Sequence, residues 1–487
     1  MFKTGSGSVV SMGLGAVASK IMAVTIGPAG IGLYSMLIQV NSSASLFGTA
    51  GGSSALVQGT ASREGHPRES YLITVFWIFI TAGVITSIAV VGLAPWIAQS
   101  VLGEASVSDI WLIRWLALPI ILSVILSYLS GVLNGFRAIG RLAMVPVVTA
   151  AVNAGLAFPV SHFVKIGYPI AFIGLMSLMN AAGIAVCLIF AKRKGWLSPI
   201  RARGFRPFIE MDSARHFFLI AATTAVTTVF GSVILLVIRS LIVGNSGLSG
   251  AGIFNVAWTF GFTYAMLYLG AFGTYYFPTL SLTHEKQARI DLMRKMFRVS
   301  TLLVAPLLVA AILLKPLAVQ LLYSNDFLES LQTWRWLLIG DYFKTASWVM
   351  AMSIIAYADM KTFLWTEVSW WSGFLVLSAI SIQGYGEMQG VGLAYLVLYV
   401  AYLVYVFHYA RSRHGLTLTN RSVATWFIGL ILVGLSSWQT WNATSIDWIT
   451  LAPWLLAIFA FVWLSLLPAE REGLRKMLLL NGRTGAS

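Results

Sequence analysis

Fourteen apolar stretches punctuate the chain, at roughly 8–26, 31–57, 71–93, 111–133, 144–164, 168–191, 216–243, 251–280, 299–322, 333–357, 362–382, 388–410, 422–441 and 447–467. Each comes close to or exceeds the ~20 residues a helix needs to cross a ~30 Å hydrocarbon core. Lipid leaves no water to satisfy backbone polar groups, so such runs predict spanning helices. The loops test the count independently. Lysine and arginine collect on alternate loops: Lys3; Arg63 and Arg68; Arg137 and Arg141; Lys192, Arg193, Lys194, Arg201, Arg203, Arg206 and Arg215; Lys286, Arg289, Arg294, Lys295 and Arg298; Lys361; Arg411, Arg413 and Arg421; then Arg471, Arg475, Lys476 and Arg483. The opposite loops hold Lys165 and the acids Glu104, Asp109, Asp326, Glu329, Glu387 and Asp447. By the positive-inside rule both termini lie in the cytoplasm. The expected fold class is all-α, a polytopic membrane protein of about 14 transmembrane helices.

Composition agrees. Of 487 residues 58% are hydrophobic and 10% charged, too few charges to solvate a soluble surface of this size. The net charge of +15 sits on the cytoplasmic loops and is therefore no sign of a nucleic-acid partner. The single cysteine, Cys187, excludes a disulfide framework. The amino-terminal run "MFKTGSGSVVSMGLG" lacks a signal cleavage site and is expected to stay as the first helix. Neither a nucleotide-binding Gly-x-x-x-x-Gly-Lys-Ser/Thr loop nor a Gly-x-Ser-x-Gly or His-Glu-x-x-His element occurs, and the six histidines have no metal-ligand spacing. No cofactor, no metal and no enzymatic activity are expected.

The loop "AKRKGWLSPIRARGFRPFIEMDSAR", 191 to 215, separates two halves that echo each other. Lys20 is followed by Gly32-Leu33-Tyr34, and Arg239 by Gly252-Ile253-Phe254. "IRWLALP" around Arg114 opens span 4 and "TWRWLLIG" around Arg335 opens span 10, each just after an acidic loop, "VLGEASVSD" and "LLYSNDFLES". The offsets between copies are 219 to 221 residues. Six spans per half require parallel repeats about an axis along the membrane normal, with a central cavity between them. The expected division is an N-lobe over 1–200, a C-lobe over 201–415, and two appended spans with a tail over 416–487.

Six cations fall within or at the ends of spans: Lys20, Arg114, Arg239, Lys315, Arg335 and Lys344. Lys20 lies about six residues before a turn expected at Gly27, and Arg239 about five before one expected at Gly244, ~8–9 Å from the outer ends of their helices. Snorkelling to the headgroups is the ordinary fate of such residues. Recurrence at matching positions favours lining a pseudo-symmetric cavity instead. Lys344 is deeper, ~14 Å along span 10 from Arg335. Asp341 is three residues away and offers a local ion pair. Arg335 and Lys344 are half a turn out of phase, so both can face one cavity only if the helix bends, with Gly340 as the place for a kink. A cationic cavity favours an anionic ligand, because ammonium and guanidinium groups bind phosphate.

The hairpin "SKIMAVTIGPAGIGLYSMLIQV", with its basic residue before Gly-Pro-x-Gly-x-Gly, resembles the opening of the polysaccharide lipid flippases. These are the O-antigen and enterobacterial common antigen translocases of the multidrug/oligosaccharidyl-lipid/polysaccharide exporter superfamily. "LLYSNDF" is similar to that family's Leu-Leu-Tyr/Phe-Gly-x-x-Phe, with Ser324 where glycine is usual. The resemblance implies two six-helix lobes around a V-shaped cavity in a bacterial inner membrane. It implies transfer of an undecaprenyl-pyrophosphate-linked oligosaccharide, an O-antigen or exopolysaccharide repeat unit, from the cytoplasmic to the periplasmic leaflet. The pyrophosphate would sit on Lys20, Arg114, Arg239, Arg335 and Lys344, with the lipid tail in the bilayer between the lobes. Asp341 would be the carboxylate coupling transport to protons or sodium, and polymerase and chain-length proteins of the same pathway would be partners. A lipid II flippase and a cation-coupled drug exporter of the same superfamily are the alternatives. Drug exporters commonly carry an acid in the first helix, where this chain has Lys20. A major-facilitator carrier would need a Gly-x-x-x-Asp-Arg-x-Gly-Arg-Arg signature after span 2, and "GTASREGHPRESY" does not supply it.

Overall fold

The computed structural model describes residues 2–103, 105–196 and 208–466. Glu104, the loop arginines Arg201, Arg203 and Arg206, and the tail cations Arg471, Arg475, Lys476 and Arg483 lie outside the described residues. Among the described residues every element is helical, as lipid demands of a chain that must satisfy its own backbone. The elements are α1 Phe2–Gly48, α2 Ser53–Ala61, α3 Gly65–Gly92, α4 Ala94–Leu102, α5 Val107–Trp115, α6 Ala117–Gly135, α7 Ile139–Leu142, α8 Met144–Lys165 and α9 Ile170–Arg193. The second half supplies α10 Met211–Trp258, α11 Tyr264–Leu282, α12 Lys286–Leu322, α13 Ser330–Ala356, α14 Met360–Ala379, α15 Gln389–His414, α16 Asn420–Gln439 and α17 Trp448–Ser465. π-helical turns occupy Thr259–Thr263 and Ile380–Gly384.

Ten helices among the described residues are long and apolar enough to cross a membrane, so this is a multi-pass membrane protein. That number does not reach the expected fourteen. Part of the difference is the two long kinked helices α1 and α10, each of which runs as two helical segments.

The chain forms two compact units. The first comprises Met1–Val256, Val319–Ser330 and Leu364–Val391. In it α1 packs on α8, α8 on α9, α9 on α6 and α6 on α3. Tyr71, Phe79, Val124, Tyr128, Leu129 and Phe217 fill its core. The buried phenols are not orphaned: Tyr71 Oη donates to Ala55 O at 2.7 Å and Tyr128 Oη to Leu72 O at 2.9 Å. The second unit comprises Ala257–Ala318, Leu331–Phe363 and Gly392–Ser487, with a core including Tyr276, Met293, Phe297, Val349, Met350 and Val406. There Asp359 caps α14, accepting from Thr362 N at 3.2 Å, from Thr362 Oγ1 at 2.9 Å and from Tyr409 Oη at 2.9 Å. Those donors hold the Asp359 carboxyl below the usual carboxylate range.

The repeat is visible in the first unit as two matched kinks. Gly27 breaks α1 at φ 63°, ψ −167°, and Gly247, 220 residues later, breaks α10 at φ 65°, ψ −173°. That backbone region is essentially closed to residues with a Cβ. Just beyond the kinks the two chains cross main chain to main chain. A Cβ on Gly32 would lie 1.8 Å from Leu248 O, and one on Gly252 would lie 2.0 Å from Pro28 O. Residues 28 and 32 and residues 248 and 252 thus make the same contact twice, exchanged between copies. The crossing also corrects the expected turn at Gly244. Gly244 continues the helix, and the break falls at Gly247, where the same register places Gly252 against Pro28. Arg239 is therefore eight residues before its kink, a full turn deeper than the sequence suggests.

Candidate functional site: buried cations in each unit

In the first unit Lys20 stands one helical stripe away from the Gly27 kink, and its ammonium donates to Gln320 O at 2.7 Å and Tyr323 O at 2.6 Å. These carbonyls belong to the last turn of α12 and the residue after it, where helix carbonyls lack intrahelical partners and the dipole favours a cation. Beyond them the chain makes a short 3₁₀ turn, Asn325–Phe327, which packs on α1. Phe327 is buried, its ring 5.4 Å from that of Tyr323. "SKIMAVTIGPAGIGLY" and "LLYSNDF", some 300 residues apart in sequence, thus meet through one lysine. Ser324 sits at φ −145°, ψ 174°, an extended conformation open to any residue. Its departure from the expected glycine therefore carries no strain.

Arg239 lies eight residues before its kink, one more than Lys20 before Gly27, and has different partners. It is buried, donates through Nη2 to Asn255 Oδ1 at 3.1 Å, and its guanidinium lies 5.8 Å from the Phe254 ring. Its Nε has no hydrogen-bond partner. Arg114, in the last turn of α5, is half-buried with its guanidinium 5.0 Å over Trp111. Lys20, Arg239 and Arg114 thus rest on different neighbours: helix-end carbonyls, Asn255 and Trp111.

In the second unit Arg335 is clasped by the loop after α16. Its Nη1 donates to Trp441 O at 3.1 Å and the guanidinium stacks 3.8 Å over the Trp441 ring. Trp441 covers Arg335, which is buried, whereas Arg114 is half-buried. Lys344 reaches Asp341 through an intermediary. Lys344 Nζ donates to Tyr395 Oη at 3.1 Å, and Tyr395 Oη donates to Asp341 Oδ1 at 2.7 Å, all three residues being buried. The ammonium also lies 4.2 Å from the Phe262 ring, which the π-turn at Thr259–Thr263 presents. The expected local ion pair is therefore a bridged one. Gly340 does not kink α13, which runs on as one helix; it leaves room for Tyr395, because a Cβ there would lie 2.5 Å from that ring.

Gly340→Ala should push Tyr395 off Asp341 and Lys344, lowering the melting midpoint by the equivalent of ~1–3 kcal/mol. Tyr395→Phe, which removes only the bridging hydroxyl, should reproduce most of the defect; an unchanged midpoint in both variants would show that the bridge contributes nothing.

Asp341 also lines a cavity of about 240 Å³ with Phe260, Tyr268, Leu308, Trp334 and Leu338. The sixth cation, Lys315, belongs to the same region of α12 and is 1% exposed, with no hydrogen-bond partner for its ammonium. It was named among the six span cations but not among the expected headgroup contacts. Its lack of any carboxylate at i±3 or i±4 is the signal that would have found it.

Residues 21–332, more than half of the chain, match the polysaccharide biosynthesis protein family. The chain belongs to that family. This bears out the resemblance read from the hairpin and from "LLYSNDF". Among curated relatives, the lipid III flippase of Escherichia coli strain K12 is 26% identical over 410 residues, covering 82% of this chain and 94% of the relative. Among solved structures, the lipid II flippase MurJ in an inward closed conformation superposes with a TM-score of 0.72 at 14% identity, over 96% of this chain and 98% of that one. An inward-facing multidrug resistance transporter of the MATE family and MOP superfamily gives 0.67 at 13% identity, over 82% and 94%. At those identities the structural matches establish the fold, a transporter fold shared by proteins with different cargo.

Proposed function

We propose that this family member is a flippase that turns an undecaprenyl-pyrophosphate-linked oligosaccharide from the cytoplasmic to the periplasmic leaflet of a bacterial inner membrane by alternating access. The observation that carries the reading is the match to a lipid III flippase along 94% of that protein's length. The electrostatics support it. An acid-poor set of buried and half-buried cations suits a diphosphate headgroup and opposes organic cations. Lys20, Arg114, Arg239, Arg335 and Lys344 are the proposed headgroup contacts, and both termini are placed in the cytoplasm by the loop charges. Asp341 is the proposed coupling carboxylate, because it is the buried acid on a cavity wall.

The test is uptake of radiolabelled undecaprenyl-pyrophosphate oligosaccharide into the protected lumen of proteoliposomes, with lipid II as a parallel substrate. Facilitated translocation of the oligosaccharide, weaker for lipid II and weaker still in Asp341→Asn under an imposed proton or sodium gradient, is the expected result. Translocation of lipid II alone would move the protein to the other flippase branch, and transport of neither would end the reading.

A further inference from the structure

The geometry points to an acyl-chain site in the second unit, an apolar groove that holds one tail of a phospholipid whose anionic headgroup is bound by Arg294 and Thr417. The groove has a volume of about 460 Å³, and every side chain that lines it is apolar or aromatic. α15 supplies one wall with Val400, Leu403, Val404 and Phe407, and α16 supplies the other with the same i, i+3, i+4, i+7 stripe starting at Val423. Phe297 of α12 and Met350 of α13 form the floor and are buried, whereas Val404 and Phe427 at the two lips are 66% and 52% exposed. The groove therefore opens on the side where α15 and α16 face lipid. Each wall stripe covers ~10 Å of helix, within the ~15 Å that one leaflet contributes to the hydrocarbon core. It ends at Leu418, in the connection between α15 and α16, which lies among the basic loop residues.

In a bilayer such walls alone select nothing, because the surrounding lipid tails are as apolar as leucine. The selecting groups stand at the groove's end. Arg294 is three residues before Phe297, on the same face of α12 and one turn nearer the basic loops. It donates from Nε to Thr417 O and from Nη2 to Thr417 Oγ1, beside the lining residue Leu418. Nη1 donates to Asp291 Oδ1 at 3.1 Å. These bonds use three of the guanidinium N–H groups, and an arginine has five, so two remain for a ligand. The Thr417 hydroxyl, an acceptor toward Arg294, keeps its own hydrogen to donate. Asp291, the acid beside Arg294, is answered by that arginine and by Gln287 Nε2 at 3.1 Å. Around this end α12 also carries Arg289, Lys295 and Arg298, α15 closes with Arg411 and Arg413, and α16 begins with Arg421. Guanidinium and hydroxyl together bind phosphate oxygens, and the surplus of positive charge favours a headgroup that brings no ammonium of its own.

The test reads binding without transport, so it stands or falls apart from the flippase reading. Full-length protein in detergent is titrated with dioleoyl phosphatidylglycerol, dioleoyl phosphatidylcholine and undecaprenyl phosphate, and bound lipid is counted by native mass spectrometry in wild type, Val404→Trp and Arg294→Gln. Val404 is an exposed lip residue, so tryptophan there lays an indole across the groove from outside, and the melting midpoint without lipid checks that each variant is folded. Phe427→Trp on the opposite lip takes its place if Val404→Trp yields no folded protein. The expected result is one phosphatidylglycerol bound saturably per wild-type chain, with at least tenfold weaker binding in the lip variant and in Arg294→Gln. Phosphatidylcholine should bind the wild type at least tenfold more weakly than phosphatidylglycerol. Equal phosphatidylglycerol binding in wild type and the folded lip variant overturns the groove as the site. Equal binding of the two phospholipids, or undiminished binding in Arg294→Gln, overturns the headgroup assignment. Displacement of phosphatidylglycerol by equimolar undecaprenyl phosphate, itself lost in the lip variant, overturns the choice of a phospholipid as occupant.

Discussion

Alanine at Gly252 is expected to leave little folded protein, whereas alanine at Gly244, eight residues earlier on the same helix, is expected to be tolerated. The added Cβ at Gly252 would sit 2.0 Å from Pro28 O, and the atom it meets is backbone, which cannot rotate away. The two main chains would have to separate by on the order of 1 Å, and one excess methylene in a packed core already costs ~1–3 kcal/mol. With rigid helix on both sides the cost falls at or above the top of that range. Gly32→Ala should behave alike, since its Cβ would lie 1.8 Å from Leu248 O. At Gly244 a Cβ meets nothing within 4 Å and the backbone is helical, so alanine should gain ~0.5–1 kcal/mol through chain entropy. Gly247→Ala falls between them: its surroundings are open, but its φ of 65° with ψ of −173° costs a side-chain-bearing residue ~1–3 kcal/mol. Membrane yield and melting midpoint in detergent would rank the four variants. Equal loss at 244 and 252 would mean that the helix needs glycine generally and that the crossing is not what fixes it.

The second large effect separates the two basic residues that each precede one of the glycine kinks. Lys20→Met and Arg239→Met should move the melting midpoint in different directions while both abolish translocation. Lys20 donates two charge-assisted hydrogen bonds to Gln320 O and Tyr323 O, and losing bonds of that class costs ~1.5–3 kcal/mol each before relaxation. Methionine therefore lowers the midpoint. Arg239 is buried with one hydrogen bond, to Asn255, and with Nε unpartnered. A buried charge with so few partners carries a desolvation penalty that an apolar chain of similar volume removes. Methionine there should hold or raise the midpoint. Translocation is normalised to folded protein in both cases. A fall in Arg239→Met as deep as that in Lys20→Met would make Arg239 a structural tie and remove it from the ligand site.

Charge alternation and the length of the apolar runs made the membrane class legible, because both are written in composition over many residues. The register at Gly247 was less so. Four small or polar residues in a row, Gly244 to Gly247, offer a local reading several equivalent break points, and only the contact with Pro28 chooses among them. The partners of the buried cations were least accessible. Nothing near Lys20 in sequence could satisfy it; the carbonyls that its ammonium reaches lie 300 and 303 positions away and carry no residue signature at all. Tyr395 was hidden for the same reason. The i,i+3 spacing of Asp341 and Lys344 suggested a direct pair, while the hydroxyl that joins them comes from a helix with no pattern linking it to α13.

The crossing at Gly32 and Gly252 has a consequence for how this transporter can vary. Most helix interfaces store their alignment in interlocking side chains, so that the information is distributed and every change is partly absorbed by its neighbours. Here main chain touches main chain as well, and two positions demand that no side chain be there, alongside side-chain ties such as Gln39 Nε2 to Ser232 O at 3.1 Å. Positions along the same helices that face neither this crossing nor another helix are free of that demand. A chain built in this way can rewrite its binding surface for a different glycan while leaving its architecture untouched.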